Sequence, residues 1–190
     1  MEVLEAIKTR RSIRRQKPDP IDDKTVETVL EAAHWAPSWH NTQCWRFIVV
    51  RDSRIKVELA NILNKIERDD KLLDNPATKA VIQAPVLIVA CAALGKAGFR
   101  RDGTPTTDKG DWYMFDVALA MQNLVLAAHA LGLGTVIVGA FDAKKAAESL
   151  EVPAGFCAVA MTPLGFPERE GGVTPRKELS EIVFHDKFGH

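Results

Sequence analysis

The chain has little of what marks several common classes of protein. Its 190 residues contain three cysteines, Cys44, Cys91 and Cys157, and their spacing suggests neither a disulfide framework nor a zinc knuckle. The formal net charge is zero and the pI is near 7.0, which argues against a nucleic-acid or membrane surface built from overall charge. The first five residues are acidic and hold no apolar core of signal-peptide length, which predicts a cytoplasmic protein.

Size and composition predict one globular domain spanning residues 1–190. The chain has a mass of 20.9 kDa and 46% hydrophobic residues, enough to bury a substantial core. Helical spacing predicts helices over 22–36, 54–68 and 142–150, and apolar runs predict strands over 45–51, 85–93, 135–138 and 156–163. Residues 94–110 are predicted to form a mobile loop, and residues 165–190 an extended C-terminal arm. The predicted architecture is α+β or α/β around a small sheet.

Residues 111–131 are almost entirely apolar or small. A segment of this length could cross a bilayer, but Asp116, Gln122, Asn123 and His129 interrupt it, and the mean hydropathy of −0.08 shows no other membrane character. A helix that is apolar on all sides is better explained by burial at the centre of the protein or between subunits. We therefore expect an obligate dimer.

Arginines are concentrated at the end of a short amphipathic helix, where residues 8–15 read KTRRSIRR. Arg offers planar, bidentate donors to phosphate, and Ser12 can add a hydroxyl. The cluster therefore predicts a phosphate site, although a solvated basic turn explains it equally well when it is considered alone.

The glycines of residues 132–139 follow a helix and open a strand. The dinucleotide-binding fingerprint has the opposite order, so these residues predict no Rossmann domain. Gly132 or Gly134 is expected to end the preceding helix with a positive φ. Gly139, just past the predicted strand, could let a flat ligand lie against the backbone.

A polar loop at residues 37–47 reads PSWHNTQCWRF, and its amide side chains suit the edge of a heterocycle with alternating carbonyl and N–H groups. With this loop, four motifs stand in order along the chain: RRSxxR, PSxxNxQxW, NLxLAAxxLGLG and PLGFP. Together they resemble the nitroreductase family of FMN-dependent oxidoreductases over almost the whole chain. The resemblance implies an α+β fold, an α/β/α sandwich with a small mixed sheet, a long dimer-interface helix and a C-terminal arm that embraces the partner.

The resemblance also implies an FMN site shared between two subunits, with NADH or NADPH as electron donor. Its phosphate and ribityl chain would lie at Arg10, Arg11 and Ser12, and Arg14 would lie beside the N1–O2 edge of the flavin. Arg176 and Lys177 would complete the phosphate site. The remaining cofactor contacts would come from the partner's loop and from the strand end behind the ring, namely Pro37, Ser38, Trp39 and Asn41 of the loop, and Val136, Val138 and Gly139 of the strand end.

Two positions depart from the family pattern. Cys44 stands where the family usually has Pro, and Val138 stands where some members have an acidic residue. Cys44 could be a reactive thiol near the cofactor or a packing residue. The five histidines of the chain lack metal-ligand spacing, and we predict no metal site.

The candidates for a substrate site are His40, Phe99, Trp112 and Tyr113. His40 lies in the polar loop 37–47, called the flavin loop below, and the other three lie in or beside the 94–110 loop. Trp112 and Tyr113 could instead pack the first turn of the helix that follows. FMN itself would carry the chemistry at N5, so no catalytic side chain is predicted.

Three functions remain open from the sequence. The first is transfer of hydride from NAD(P)H through FMN to a nitroaromatic, a quinone or a similar conjugated acceptor. The second is a specialised flavin chemistry on the same fold, either reductive dehalogenation or flavin fragmentation. The third, from a different class, is a nucleic-acid-binding protein that uses the Arg cluster without enzymatic activity.

Overall fold

The computed structural model describes residues 1–189. The helices are α1 Val3–Thr9, α2 Asp23–His34, α3 Ser53–Asn61, α4 Thr78–Gln83, α5 Tyr113–Ala130 and α6 Ala143–Ser149. The strands are β1 Trp45–Val50, β2 Ile66–Arg68, β3 Lys71–Leu73, β4 Val86–Ala93, β5 Gly134–Thr135 and β6 Phe156–Gly165. Two short 3₁₀ helices cover Trp39–Asn41 and Leu179–Glu181.

A four-stranded sheet in the order β1-β4-β6-β5 lies between two helical layers. Every residue of β4 is buried, because α2 and α5 cover one face of the sheet and α3, α4 and α6 cover the other. The fold is therefore the predicted α+β class with an α/β/α sandwich. All the strand ladders within residues 1–189 are antiparallel. One parallel pairing is present there, an isolated bridge between Ser12 and Thr135.

Side-chain caps begin several helices where the sequence suggests. Asp22 accepts a hydrogen bond from the backbone N–H of Thr25 at the start of α2, and Asp142 caps α6 in the same way. Gly132 follows α5 with a φ of 77°, as predicted for a C-cap glycine. Gly134 has a different role, since a Cβ there would come within 2.8 Å of the Ile13 side chain.

The predicted helix 54–68 is wrong in its second half. Helix α3 ends at Asn61, and the chain then turns to pair Leu63 with Phe141. Residues 66–73 form a hairpin whose turn places Asp69 and Asp70 at φ values of 52° and 58°. Two adjacent residues with positive φ are typical of a tight hairpin turn, and such a turn ends any helical pattern.

The predicted strand 135–138 is also shorter than expected. Only Gly134 and Thr135 pair continuously with β6, and Val138 adds an isolated bridge to Met161. Continued in the same register, Val136 would face Pro163, which has no N–H to donate, and the ladder is interrupted there.

The predicted loop 94–110 contains no helix and no strand ladder, but it folds back on itself. The backbone N–H of Thr106 donates to Gly98 O at 2.8 Å, and Phe99 forms a bridge with Pro105. Helix α4 and the 66–73 hairpin were not predicted.

Apolar side chains remain exposed on three elements. Leu4 of α1 is 67% exposed, Phe115 of α5 is 56% exposed and Leu179 of the C-terminal arm is 73% exposed. Helix α5 therefore packs one face on the sheet and α2 and leaves apolar side chains uncovered on the other, so this chain alone does not bury it at the centre. The expected burial between subunits stays a prediction. Within residues 1–189, no helix is both long and apolar enough to cross a membrane.

Candidate functional site: a divided cofactor site

The arginine segment is fixed against the end of the sheet. The backbone N–H of Ile13 donates to Thr135 O at 2.8 Å, and Ser12 pairs with Thr135 in the parallel bridge. Gly134 allows this close approach because it has no side chain to meet Ile13. Arg10, Arg11 and Ser12 consequently lie beside the C-terminal end of α5.

The guanidinium groups of Arg11 and Arg176 lie near enough to that of Arg10 for their charges to act on it. Burial lowers the pKa of Arg10, and the positive charges of Arg11 and Arg176 lower it further. Arg11 Nη1 donates to the carbonyl oxygens of Lys8 and Arg10, at 2.7 and 2.8 Å. The positive charges of these neighbouring arginines repel one another, so a bound anion would stabilise the cluster. Lys177 follows Arg176 on the arm and is exposed.

The arm reaches the arginines through a close glycine contact. A Cβ on Gly171 would clash with Arg11 Cβ, whereas one on Gly172 would meet no atom within 4 Å. The arm is held here by the backbone bond from Glu168 N to Arg15 O at 3.0 Å. Gly171 thus brings the C-terminal arm and the arginine segment together.

His129, near the end of α5, contacts the same segment. Its Nε2 lies 2.8 Å from Thr9 Oγ1, and the Thr9 hydroxyl also lies 2.7 Å from Glu5 O. Burial, together with the charges of Arg10 and Arg11, lowers the pKa of His129. His129 therefore adds a neutral imidazole rather than a further cation at neutral pH.

A cleft of about 570 Å³ opens on the other side of Ser12. It is lined by Ser12, Arg14 and Arg15, by Lys79 of α4, and by Arg169 of the arm. Sequence reasoning found Ser12 and Arg14 but missed Lys79, because α4 itself was not predicted. A lysine beside the positions expected to face the flavin is a candidate donor to its carbonyl edge.

The strand end behind the expected ring position is open. Val136 and Val138 are buried, whereas Gly139 is exposed and a Cβ added there would meet nothing within 4 Å. Packing within this chain therefore does not require a glycine at 139. The space that Gly139 leaves is available to a flat ligand.

The polar loop 37–44 is anchored by a buried carboxylate. The backbone N–H of Trp39 donates to both oxygens of Asp116, and Thr42 Oγ1 lies 3.3 Å from Asp116 Oδ2. Ser38 Oγ accepts from Gln43 N at 3.0 Å. Asp116 was not predicted as a site residue, although a single carboxylate within an apolar helix is the signal that could have identified it.

The two halves of the predicted site lie at opposite ends of α5. Pro37, Ser38, Trp39 and Asn41 are near Asp116, and the arginine cluster is near His129. Asp116 and His129 are separated by about 20 Å along the helix axis. One chain alone therefore does not bring the predicted cofactor residues together around one ligand.

The Cys44 side chain is 2% exposed and its Sγ lies 3.7 Å from Asp116 Oδ2. Burial, together with the negative charge of Asp116, raises the pKa of Cys44 to about 12. The thiol is thus protonated at neutral pH. This environment favours packing over the reactive thiol that the sequence left open.

The four predicted substrate residues separate into two pairs. His40 and Phe99 line a cleft of about 740 Å³ between the flavin loop and the 94–110 loop. Trp112 packs against Trp39 with ring centroids 5.0 Å apart, and Tyr113 packs in the same apolar cluster as Phe156.

Among residues 1–189, no three His, Cys, Asp or Glu side chains are grouped so as to hold a metal ion.

Known proteins resemble this chain in sequence and in fold. The profile of the nitroreductase family matches residues 7–166. The chain belongs to the nitroreductase family. A provisionally named NADH dehydrogenase/NAD(P)H nitroreductase of Methanothermobacter thermautotrophicus is 31% identical to this family member over 90% of the chain and 81% of its own length. The crystal structure of a nitroreductase family protein from Clostridium novyi NT superposes with a TM-score of 0.75 and 33% identity, covering 100% of this chain and 96% of its own.

Other relatives of this nitroreductase-family chain have more specific names. A 5,6-dimethylbenzimidazole synthase of Rhodospirillum rubrum is 30% identical over 95% of the chain and 88% of its own length. An FMN reductase (NAD(P)H) of Bacillus subtilis is 26% identical over 98% of this chain and 74% of its own length. Iodotyrosine deiodinase 1 of Sus scrofa is 28% identical over 96% of this chain and 68% of its own length. The solved NADPH:FMN oxidoreductase of Vibrio harveyi, complexed with NAD+, has a TM-score of 0.79 and 25% identity, covering 99% of this chain and 78% of its own.

Proposed function

We propose that the protein is an FMN-dependent oxidoreductase that transfers hydride from NADH or NADPH to a nitroaromatic, a quinone or a similar conjugated acceptor. The observation that carries the proposal is the cluster of Arg10, Arg11 and Arg176 in a chain of the nitroreductase family. Relatives named for FMN and for NAD(P)H support the same cofactor and donors. Family membership also makes a non-enzymatic nucleic-acid-binding role unnecessary to explain the arginines.

The residues present fit the phosphate of FMN. Arg10, Arg11 and Arg176 supply charge-assisted donors, and Ser12 adds a hydroxyl where the segment meets the sheet. The burial of Arg10 and the repulsion that it feels from Arg11 and Arg176 both disfavour its charge without an anion, and both costs fall when a phosphate binds. Lys177 extends the positive charge along the arm.

The residues around the expected ring position fit a flat heterocycle. Gly139 leaves room above the strand end, Val136 and Val138 form an apolar support, and Arg14 with Lys79 lines the adjoining cleft. When bound, FMN supplies hydride transfer through its N5 atom. The protein's own residues then bind and orient the ring, and Arg14 holds positive charge at its N1–O2 edge.

The separation along α5 supports a site shared between two chains. We infer a homodimer in which the loop containing Trp39 and Asn41 of one chain faces the arginine cluster of the other. The uncovered apolar faces of α1, α5 and the arm supply the surface that such an interface would bury. Location in the cytoplasm stays a prediction.

The test is direct. Purified protein should be yellow, should sediment as a dimer, and should release one FMN per chain and no FAD on denaturation. It should oxidise NADH or NADPH when a quinone or a nitroarene is supplied. A monomer that retains FMN would contradict the shared site, and protein that binds no added FMN would contradict the proposal as a whole.

A specialised flavin chemistry is the second candidate, and relatives named iodotyrosine deiodinase and 5,6-dimethylbenzimidazole synthase favour it. Steady-state turnover distinguishes the candidates when halogenated phenols are compared with nitro compounds and quinones. Release of halide with poor turnover of quinones would favour dehalogenation. Loss of the flavin itself during turnover would favour flavin fragmentation.

A further inference from the structure

The cleft between the flavin loop and the 94–110 loop is strongly basic. Its volume of about 740 Å³ is in the range of small-molecule sites. Three cations, Lys96, Arg100 and Arg101, line it together with His40 and Phe99. Because the formal net charge of the chain is zero, this positive charge is a local feature.

The backbone fixes the place of the arginines. Arg100 N donates to Thr104 O at 2.9 Å, and Gly103 N donates to Arg100 O at 3.0 Å, which closes a turn around Arg100 and Arg101. Gly98 holds the base of this turn against Trp112, since a Cβ at Gly98 would lie 2.6 Å from Trp112 Cδ1. The turn therefore presents its two arginines from an ordered structure.

Two carboxylates of this region, Asp102 and Asp111, are engaged elsewhere. Asp102 accepts hydrogen bonds from Thr104 N and Thr104 Oγ1, at 3.0 and 2.7 Å. Asp111 accepts from Gly95 N at 2.7 Å and from Tyr113 N at 3.1 Å. Within residues 1–189, none of the salt bridges involves Lys96, Arg100 or Arg101.

We propose that this cleft binds the anionic group, a carboxylate or a phosphate, of a substrate of the flavin site. The inference rests on the proposed function, because His40 and Thr42 join the cleft to the loop that would face the partner's flavin. The arginines can bind such a group through paired N–H donors, and the half-buried Phe99 offers a ring face to an attached aromatic group. The anionic group could belong to an aromatic acceptor or to the nicotinamide donor.

Two substrate pairs separate these sources. The acceptors 4-nitrobenzoate and 4-nitrobenzamide share a ring and a nitro group but differ in charge, and NADPH differs from NADH by one phosphate. The variant is the double substitution Arg100→Gln and Arg101→Gln. Its matched control is Lys109→Gln, which removes one positive charge from the same loop at a side chain that lies over the Trp112 ring and does not line the cleft.

The double variant should raise KM for the more anionic member of one pair, 4-nitrobenzoate or NADPH, about ten- to a hundredfold and leave the less anionic member nearly unchanged. A selective effect on 4-nitrobenzoate identifies the acceptor as the source of the anion, and a selective effect on NADPH identifies the donor. Equal effects on the two members of both pairs, or no effect on either pair, would overturn the proposal.

Equilibrium dialysis gives a readout independent of turnover. The FMN-loaded wild-type protein should bind 4-nitrobenzoate or 2′,5′-ADP about ten- to a hundredfold more tightly than the double variant, with Lys109→Gln close to wild type. If wild-type protein shows no FMN binding or turnover, the proposed function fails. The same dialysis on the protein as purified then still tests the anion site, and arginine-dependent binding of these anions supports it. If all three proteins bind these anions equally in this assay, the proposed anion site in the cleft is wrong, even if the enzyme is active.

Discussion

The backbone N–H of Trp39 donates to both carboxylate oxygens of Asp116, each at 3.1 Å. This contact joins the flavin loop to the first turn of α5, across 77 positions of sequence. The loop needs such an anchor, because His40, Asn41 and Gln43 have φ values of 43°, 56° and 46°. Non-glycine residues in this region are strained, and the strain persists only where surrounding contacts hold the backbone.

Replacing the anchor should therefore loosen the loop. Asp116→Ala removes the buried acceptor of the half-buried Trp39 N–H, and we expect the free energy of unfolding to fall by about 1–3 kcal/mol. Asp116→Asn keeps one acceptor oxygen and should cost less. Urea denaturation measures both variants, with Asp108→Ala, an exposed carboxylate of the 94–110 loop, as control. Equal stability of Asp116→Ala and this control would contradict the anchoring role.

The phosphate assignment predicts the effect of removing single arginines. Arg11→Ala and Arg176→Ala each delete a charge-assisted hydrogen bond of about 1.5–3 kcal/mol, so FMN should bind about ten- to a hundredfold more weakly. Fluorescence titration of apoprotein with FMN gives the affinity. Arg54→Ala, at an exposed pair with Asp52, controls for general loss of positive charge. Parent-like affinity in both site variants would show that phosphate binds elsewhere.

Two neighbouring glycines of the arm should respond differently to the same change. In Gly171→Ala the new methyl group meets Arg11 Cβ, and the arm or the arginine segment must shift. In Gly172→Ala the methyl group enters open space. We expect weaker FMN binding and lower thermal stability for Gly171→Ala only. If Gly172→Ala has the same effect, the arm does not contribute through this close contact.

Arg14 should raise the reduction potential of bound FMN. Two-electron reduction places negative charge near N1, and a guanidinium beside it stabilises the reduced ring. Arg14→Gln should lower the potential by some tens of millivolts, since about 30 mV corresponds to about 1.4 kcal/mol for a two-electron couple. Arg14→Lys keeps the charge and should recover most of the difference. Redox titration of FMN-loaded protein checks this, and an unchanged potential in Arg14→Gln would reject the role.

The buried thiols should resist alkylation in the folded protein. Burial raises the pKa of Cys44 to about 12 and that of Cys91 to about 11, and only the thiolate reacts readily. Iodoacetamide at pH 8 should therefore leave both unlabelled in native protein and label all three cysteines in urea. Raising the pH toward these pKa values should speed labelling in protein that stays folded. Rapid labelling of native Cys44 at pH 8, read by mass spectrometry, would revive the reactive-thiol interpretation.

Local pattern was sufficient for the central elements of the fold. The apolar run of β4 and the helical spacing of α2 each predicted their element to within a few residues, because burial dictates those patterns. The prediction of a helix over 54–68 failed in its second half, because contacts distant in sequence determine the structure there. Leu63 forms a bridge with Phe141, and the turn at Asp69 and Asp70 reverses the chain. The two adjacent aspartates were a turn signal that the helical spacing obscured.

The candidate site was predictable only in part, for a similar reason. Motif resemblance identified the arginine segment and the polar loop, but it gave no sign of Lys79, whose helix has six residues and no strong periodicity. Asp116 is visible in the sequence as an interruption of an apolar segment. Its partner, the backbone of Trp39, becomes visible only when the chain is folded.

The length of α5 between the two half-sites has a genetic consequence. If each site takes its arginines from one chain and its loop from the other, a chain damaged at Arg11 and a chain damaged at Asn41 can assemble into a mixed dimer. One of its two sites would then carry both lesions and the other would carry neither. Two inactive variants would thus complement each other when they are co-expressed, and the restored activity would belong to the mixed dimer alone.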